Sequence, residues 1–107
     1  MTIKEAILSY PGLSEIPDDY IEKVLIDRAL DGTVDYTLSL GNTVGLCVAD
    51  CLVAMITSPD FSESKLSMKY PRGYLRSMAI SLYEENGESS KASKLKVGKG
   101  NAKTTWW

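Results

Sequence analysis

Along residues 1–87 the apolar positions recur at helical spacing in four blocks, each bounded by residues that start or stop a helix. "TIKEAILSY" opens with a capping box. Thr2 can accept from the amide of Glu5 while Glu5 reaches back, and Ile3, Ala6, Ile7 and Tyr10 then share one face. Pro11-Gly12 stops it. In "SEIPDDYIEKVLIDRAL", Pro17 suits a first turn, Asp18 and Asp19 favour the positive end of the helix dipole, and Tyr20, Ile21, Val24 and Leu25 form the stripe. Asp31-Gly32 marks its end. "NTVGLCVADCLVAMITSP" is apolar nearly all round behind a capping Asn42, the pattern of a central helix buried on most sides. "YLRSMAISLYEENGE" places Tyr74, Leu75, Met78, Ala79, Leu82 and Tyr83 along one face and ends at Asn86-Gly87.

Two stretches alternate with period two instead. "TVDYTLSL" sets Val34, Tyr36, Leu38 and Leu40 against polar residues and reads as a strand. "SKLSMKYPRG" does the same with Leu66, Met68 and Tyr70, which predicts a short strand or extended arm over about residues 62–71, bounded by Pro71 and Gly73. Beyond Gly87 the composition turns polar, basic and glycine-containing, which predicts a flexible, extended tail over residues 88–107. The expected fold is therefore mainly α. A small bundle of about four helices spans residues 1–87, with a short extended arm or β-hairpin, and a tail follows that ends in Trp106 and Trp107.

Length and charge narrow this picture. The 107 residues make one domain with a single modest core. A net charge of −2 and a pI near 5.1 give the body no electrostatic footprint for nucleic acid or an anionic membrane. The tail differs, because Lys91, Lys94, Lys96, Lys99 and Lys103 follow with no acid after Glu88, which leaves room for local contact with phosphate or an acidic protein surface. No run reaches the roughly 18 consecutive apolar residues of a spanning helix, and the start lacks a signal peptide's basic region and long apolar segment, so an intracellular protein is expected.

Candidate chemistry is sparse. With no histidine, the commonest general acid/base and metal ligand are missing. Cys47 and Cys51 lie four apart, a helical spacing that puts their backbones roughly 6 Å apart with near-parallel Cβ vectors, poor for a disulfide. Zinc would need two further ligands, so both read as small core residues. "VGKGNAKTT" has the wrong spacing for a P-loop. Asp50, an acid within the apolar central block, reads as a wetter edge or as an ion pair with Arg28 or Arg76. No enzyme and no cofactor is expected. A binding role fits better, since Trp106 and Trp107 can each bury on the order of 200 Å² on a partner or on their own domain.

The "MTIKEA" start, the Ala-Asp pair of the central helix, the "SPDFSESKLSMKY" segment and the closing "SLYEENGE" resemble small prophage-encoded proteins of Bacteroides-type bacteria and their tailed phages. These in turn are similar to the helical head–tail connector, or adaptor, proteins of long-tailed phages. The resemblance covers residues 1–88. It implies a non-enzymatic subunit of a homo-oligomeric ring, typically a dodecamer, beneath the portal at the virion neck, present in the host cytoplasm before assembly. The arm (Leu66, Met68, Tyr70) and the tail (Lys99, Lys103, Trp106, Trp107) would contact neighbouring subunits, the portal and other neck proteins, with DNA passing through the channel unread and no membrane involved. The alternative is a small regulatory or adaptor module that binds one protein partner through its C-terminal tail.

Overall fold

The computed structural model describes residues 1–59 and 61–100, with side chains described as far as residue 96. Six helices follow one another: α1 (Ile3–Leu8), α2 (Asp18–Asp27), α3 (Gly41–Ile56), α4 (Lys65–Lys69), α5 (Arg72–Glu85) and α6 (Ser89–Gly100). Short 3₁₀ turns lie at Leu13–Glu15, Leu38–Leu40 and Phe61–Glu63, and there is no strand among the described residues.

The mainly helical architecture predicted from the pattern is the one observed. At α1 the capping box forms in both directions, and Ile3, Ala6 and Ile7 are buried. Helix α1 ends at Leu8, short of the expected stop at Pro11-Gly12, and Gly12, at φ +86°, instead opens the Leu13–Glu15 turn, where a Cβ would come within 2.9 Å of Leu66 Cδ1. Helix α3 is the hub. It packs on α5, α2 and α1, with Val44, Cys47, Val48, Cys51 and Leu52 sealed from solvent. Each such aliphatic side chain contributes about 1.5–3 kcal/mol on burial. Both cysteines are free, and burial pushes their thiols up to about 11 for Cys47 and about 12 for Cys51. By length and composition alone Leu38–Ile56 would qualify as a membrane span, a property that a packed core helix shares.

Four further stretches depart from expectation. Residues 33–40 form no strand. Thr2 and Asp35 make an isolated antiparallel bridge, flanked by Ile3 N–H to Val34 O (2.9 Å) and Tyr36 N–H to Met1 O (2.8 Å). Pairing stops there because Thr2 already caps α1 and leaves no partner edge. Asn42 is not a cap either, since α3 runs straight out of the Leu38–Leu40 turn.

Helix α2 ends before Asp31-Gly32, at Arg28, with Ala29 in the left-handed region at φ 59°. Ala29 N–H donates to Ile26 O and Leu30 N–H to Leu25 O, the paired bonds of a Schellman turn.

The arm is the third correction. Residues 61–69 are helical: Ser64 caps α4 by accepting from Ser67 N–H, and Phe61 and Leu66 are buried. A five-residue helix has too few turns to show its period, so alternation was the only pattern left to read.

The fourth concerns the tail. Residues 89–100 form α6 rather than an extended segment, held on α5 by buried Ala92, half-buried Leu95 and an ion pair between Lys96 and Glu84. Serine, lysine and alanine are serviceable helix formers once a neighbour covers one face. Residues 101–107, with Lys103, Trp106 and Trp107, lie outside the described residues, as does the side chain of Lys99.

Candidate functional site

Two helix ends meet at the most concentrated set of polar side chains in the structure. The Schellman turn after α2 fixes Arg28 at that helix's C-terminus, where a cation is favoured by the dipole. A second such turn closes α5, with Gly87 at φ 93° and Glu88 N–H bonded to Tyr83 O at 2.9 Å. That turn delivers Glu88 to the start of α6, where an anion is favoured.

Arg28 bridges two carboxylates with both edges of its guanidinium. Nε donates to Asp50 Oδ2 at 2.6 Å and Nη2 to Asp50 Oδ1 at 3.1 Å, while Nη1 and Nη2 reach Glu88 Oε2 and Oε1, each at 2.9 Å. Tyr83 Oη donates to Asp50 Oδ1 at 2.6 Å. Lys91 Nζ stands 3.4 Å from Glu88 Oε1 and 3.7 Å from Asp50 Oδ1, and 5.6 Å from the centre of the Tyr83 ring. The side chains of Arg28 and Asp50 are only 16% and 19% exposed, so these bonds work in a medium where charge pairing is strong.

The ionisation of the cluster follows from these contacts. The bonds to Glu88 and then to Asp50 raise the Arg28 guanidinium above its ordinary value. The same Arg28 bonds hold the Glu88 carboxyl down at about 2. Burial first, and then donation to Asp50, push the Tyr83 phenol well above its ordinary value. Both Asp50 oxygens are occupied by Arg28 and Tyr83. The arrangement joins α2, α3, α5 and α6, and among the described residues no buried side-chain nitrogen or oxygen lacks a partner. Asp50 is thus ion-paired, and of the two arginines expected as partners it is Arg28 that meets it.

Beside the cluster an open groove of about 1000 Å³ runs between α2 and α3. Its apolar side chains include Val24, Leu46, Val53 and Ala54, and Asp19, Lys23 and Asp27 line it from α2. Tyr83 and Lys91 reach it from α5 and α6.

The predicted partner-binding residues do not gather here. Met68 stands on α4 with 83% of its surface exposed, whereas Leu66, expected on the same contact surface, is sealed in the core. Tyr70 is half-buried and stacks on Tyr74, ring centres 5.5 Å apart. Tyr83, Glu88 and Lys91 were not foreseen as one site with Arg28 and Asp50. The signal was the acid inside an apolar helix, but its further partners lie across a turn that pattern does not fold. Lys91 is not unopposed as its local sequence suggested, because α6 turns it back toward Asp50 and Glu88.

No curated protein and no solved structure matches the chain. A family match does run over residues 1–106, and the chain therefore belongs to DUF6706, a family of unknown function.

Proposed function

We propose that this protein is a non-enzymatic assembly subunit, a head–tail connector of a tailed phage or prophage that forms a ring beneath the portal. Large apolar side chains stand in solvent at Met1, on α2 at Ile26 and on two further stretches, and those two stretches carry this reading. Val34 and Leu38, the latter 93% exposed, precede α3, while Met68 on α4 and Tyr74 at the start of α5 form the other set. Gly45, near the start of α3, lies against Asn86 at the end of α5, so the two helices run in opposite directions. The two sets consequently sit toward opposite ends of the α3–α5 pair. Distinct surfaces at opposite ends are what a head-to-tail, ring-closing contact uses. The self-satisfied cluster around Arg28 supports the same reading, since its groups stabilise helix ends and leave no free nucleophile or base.

Native mass spectrometry of the full chain, alone and mixed with the portal protein of the same genome, tests this. A ring-sized mass in either sample is the expected result. A protein that stays monomeric or dimeric in both overturns the connector reading in favour of a single-partner adaptor.

A further inference from the structure

The groove between α2 and α3 and the outer face of α4 share no residue, and their chemistries are complementary. On α4, Met68 lies on one face with Lys65 and Lys69, three residues before it and one after, and all three are exposed. Leu66, buried beneath them, fixes the helix to the core, so this face is presented on a rigid support. Residues 64–72 carry Lys65, Lys69 and Arg72 and no acid, whereas α2 carries Asp18, Asp19, Glu22 and Asp27 against Lys23 alone. Asp19 and Asp27 are the two of these acids that line the groove, where Lys23 stands between them and holds Asp27 at 2.7 Å.

We propose that α4 of one copy inserts Met68 into the α2–α3 groove of a second copy, with Lys65 and Lys69 set against Asp19 and Asp27. An unbranched, polarisable methionine suits an irregular apolar groove floored by Val24, Leu46, Val53 and Ala54. Lysine stems can lie along such walls while their ammonium groups reach the carboxylates at the rim. Two existing bonds have to be exchanged, Lys69 Nζ to Glu15 Oε2 at 3.1 Å and Lys23 Nζ to Asp27 Oδ2 at 2.7 Å, and surface pairs of this kind are of small worth. Knob and groove are different surfaces, so each added copy leaves one of each free, and the contact repeats until a ring closes. This inference rests on the assembly reading above and pairs its Met68 surface with the α2–α3 groove rather than with Val34 and Leu38.

The test is native mass spectrometry with sedimentation of the full chain across a concentration series, comparing wild type with Met68→Glu, Lys65→Glu, Asp19→Lys and the double variant Lys65→Glu/Asp19→Lys. All three positions are exposed, and circular dichroism checks that each variant is folded. Wild type should form species larger than a dimer. Met68→Glu should weaken association about tenfold or more, each single charge reversal should weaken it, and the double variant should recover it. A closed dimer that Met68→Glu dissociates supports the contact and rejects the ring. Wild-type oligomers that Met68→Glu and Asp19→Lys leave intact overturn the contact and spare the assembly reading. Oligomers lost on removal of residues 101–107 but not in Met68→Glu overturn it in favour of the tail. A protein monomeric at every concentration overturns the contact and the self-assembly it rests on.

Discussion

Arg28 and Glu88 meet edge to edge, Nη1 2.9 Å from Oε2 and Nη2 2.9 Å from Oε1, across 60 residues of chain. Their bidentate pairing, shared with Asp50, ties the end of α2 to the start of α6. Replacing Arg28 by alanine leaves two carboxylates facing each other with Lys91 as the remaining cation and the Tyr83 hydroxyl on Asp50. The expected loss is about 2–4 kcal/mol in urea unfolding, because a partly buried acid without its cation costs more than the pair contributed.

The same pair sets an acid limit. The folded Glu88 carboxyl sits at about 2 against an ordinary 4.5, so on acidification the unfolded chain takes up the proton first. The stabilisation is full above the ordinary value and is lost as pH falls from about 5 toward 2. In Glu88→Gln this component is absent. The stability gap between wild type and Glu88→Gln, followed by denaturant titration at stepped pH, should be widest near neutrality and should close toward pH 2. A gap that does not change with pH would refute the assignment.

At Ala29 a left-handed backbone is held by a residue with a Cβ, where glycine is ordinarily found. Ala29→Gly should raise stability by about 0.5–1 kcal/mol, despite glycine's greater freedom in the unfolded chain. Thermal melts of the two proteins would show it. A loss of stability would mean that the Schellman turn carries no strain.

Between α3 and α5, a Cβ on Gly45 would stand 2.6 Å from Asn86 Nδ2, whose amide also donates to Leu82 O at 2.8 Å. Gly45→Ala should therefore cost about 1–2 kcal/mol, even though alanine is the better helix former. In an Asn86→Ala background the penalty should shrink or reverse. A coupling energy below about 0.3 kcal/mol in that double-mutant cycle would show that the two helices have room to spare.

Leu66 and Met68, two residues apart, should behave oppositely. Leu66→Ala opens a cavity under α4 and should cost about 2–4 kcal/mol, while Met68→Ala should leave the isolated protein within about 0.5 kcal/mol of wild type. Equal effects would contradict the helical reading of this segment.

Punctuation in the sequence was reliable wherever one residue sufficed to carry it. Thr2 with Glu5 marks the observed start of α1, and Gly87 follows the observed end of α5. Pattern failed where elements are short or where a neighbour supplies the apolar face. The alternation of Leu66, Met68 and Tyr70 belongs to a single helical turn and its exit, and α6 owes its helix to α5 as much as to its own composition. Helix α2 stops early because the chain accepts strain at Ala29, which no propensity scale anticipates. As for the cluster, Asp50 was legible as a misfit and Arg28 as a partner. Glu88 was not, because only the turn at Gly87 brings it round.

The cluster also imposes an order in time. A ribosome makes Arg28 first, Asp50 next, and Tyr83, Glu88 and Lys91 only after at least 33 further residues. Until then the end of α2 bears a guanidinium with at most one of its two carboxylate partners. The pairing that locks α2, α3, α5 and α6 together is thus a latch that engages only once α5 and its closing turn have been made, so a chain stalled before Glu88 is a loosely closed bundle open to proteolysis.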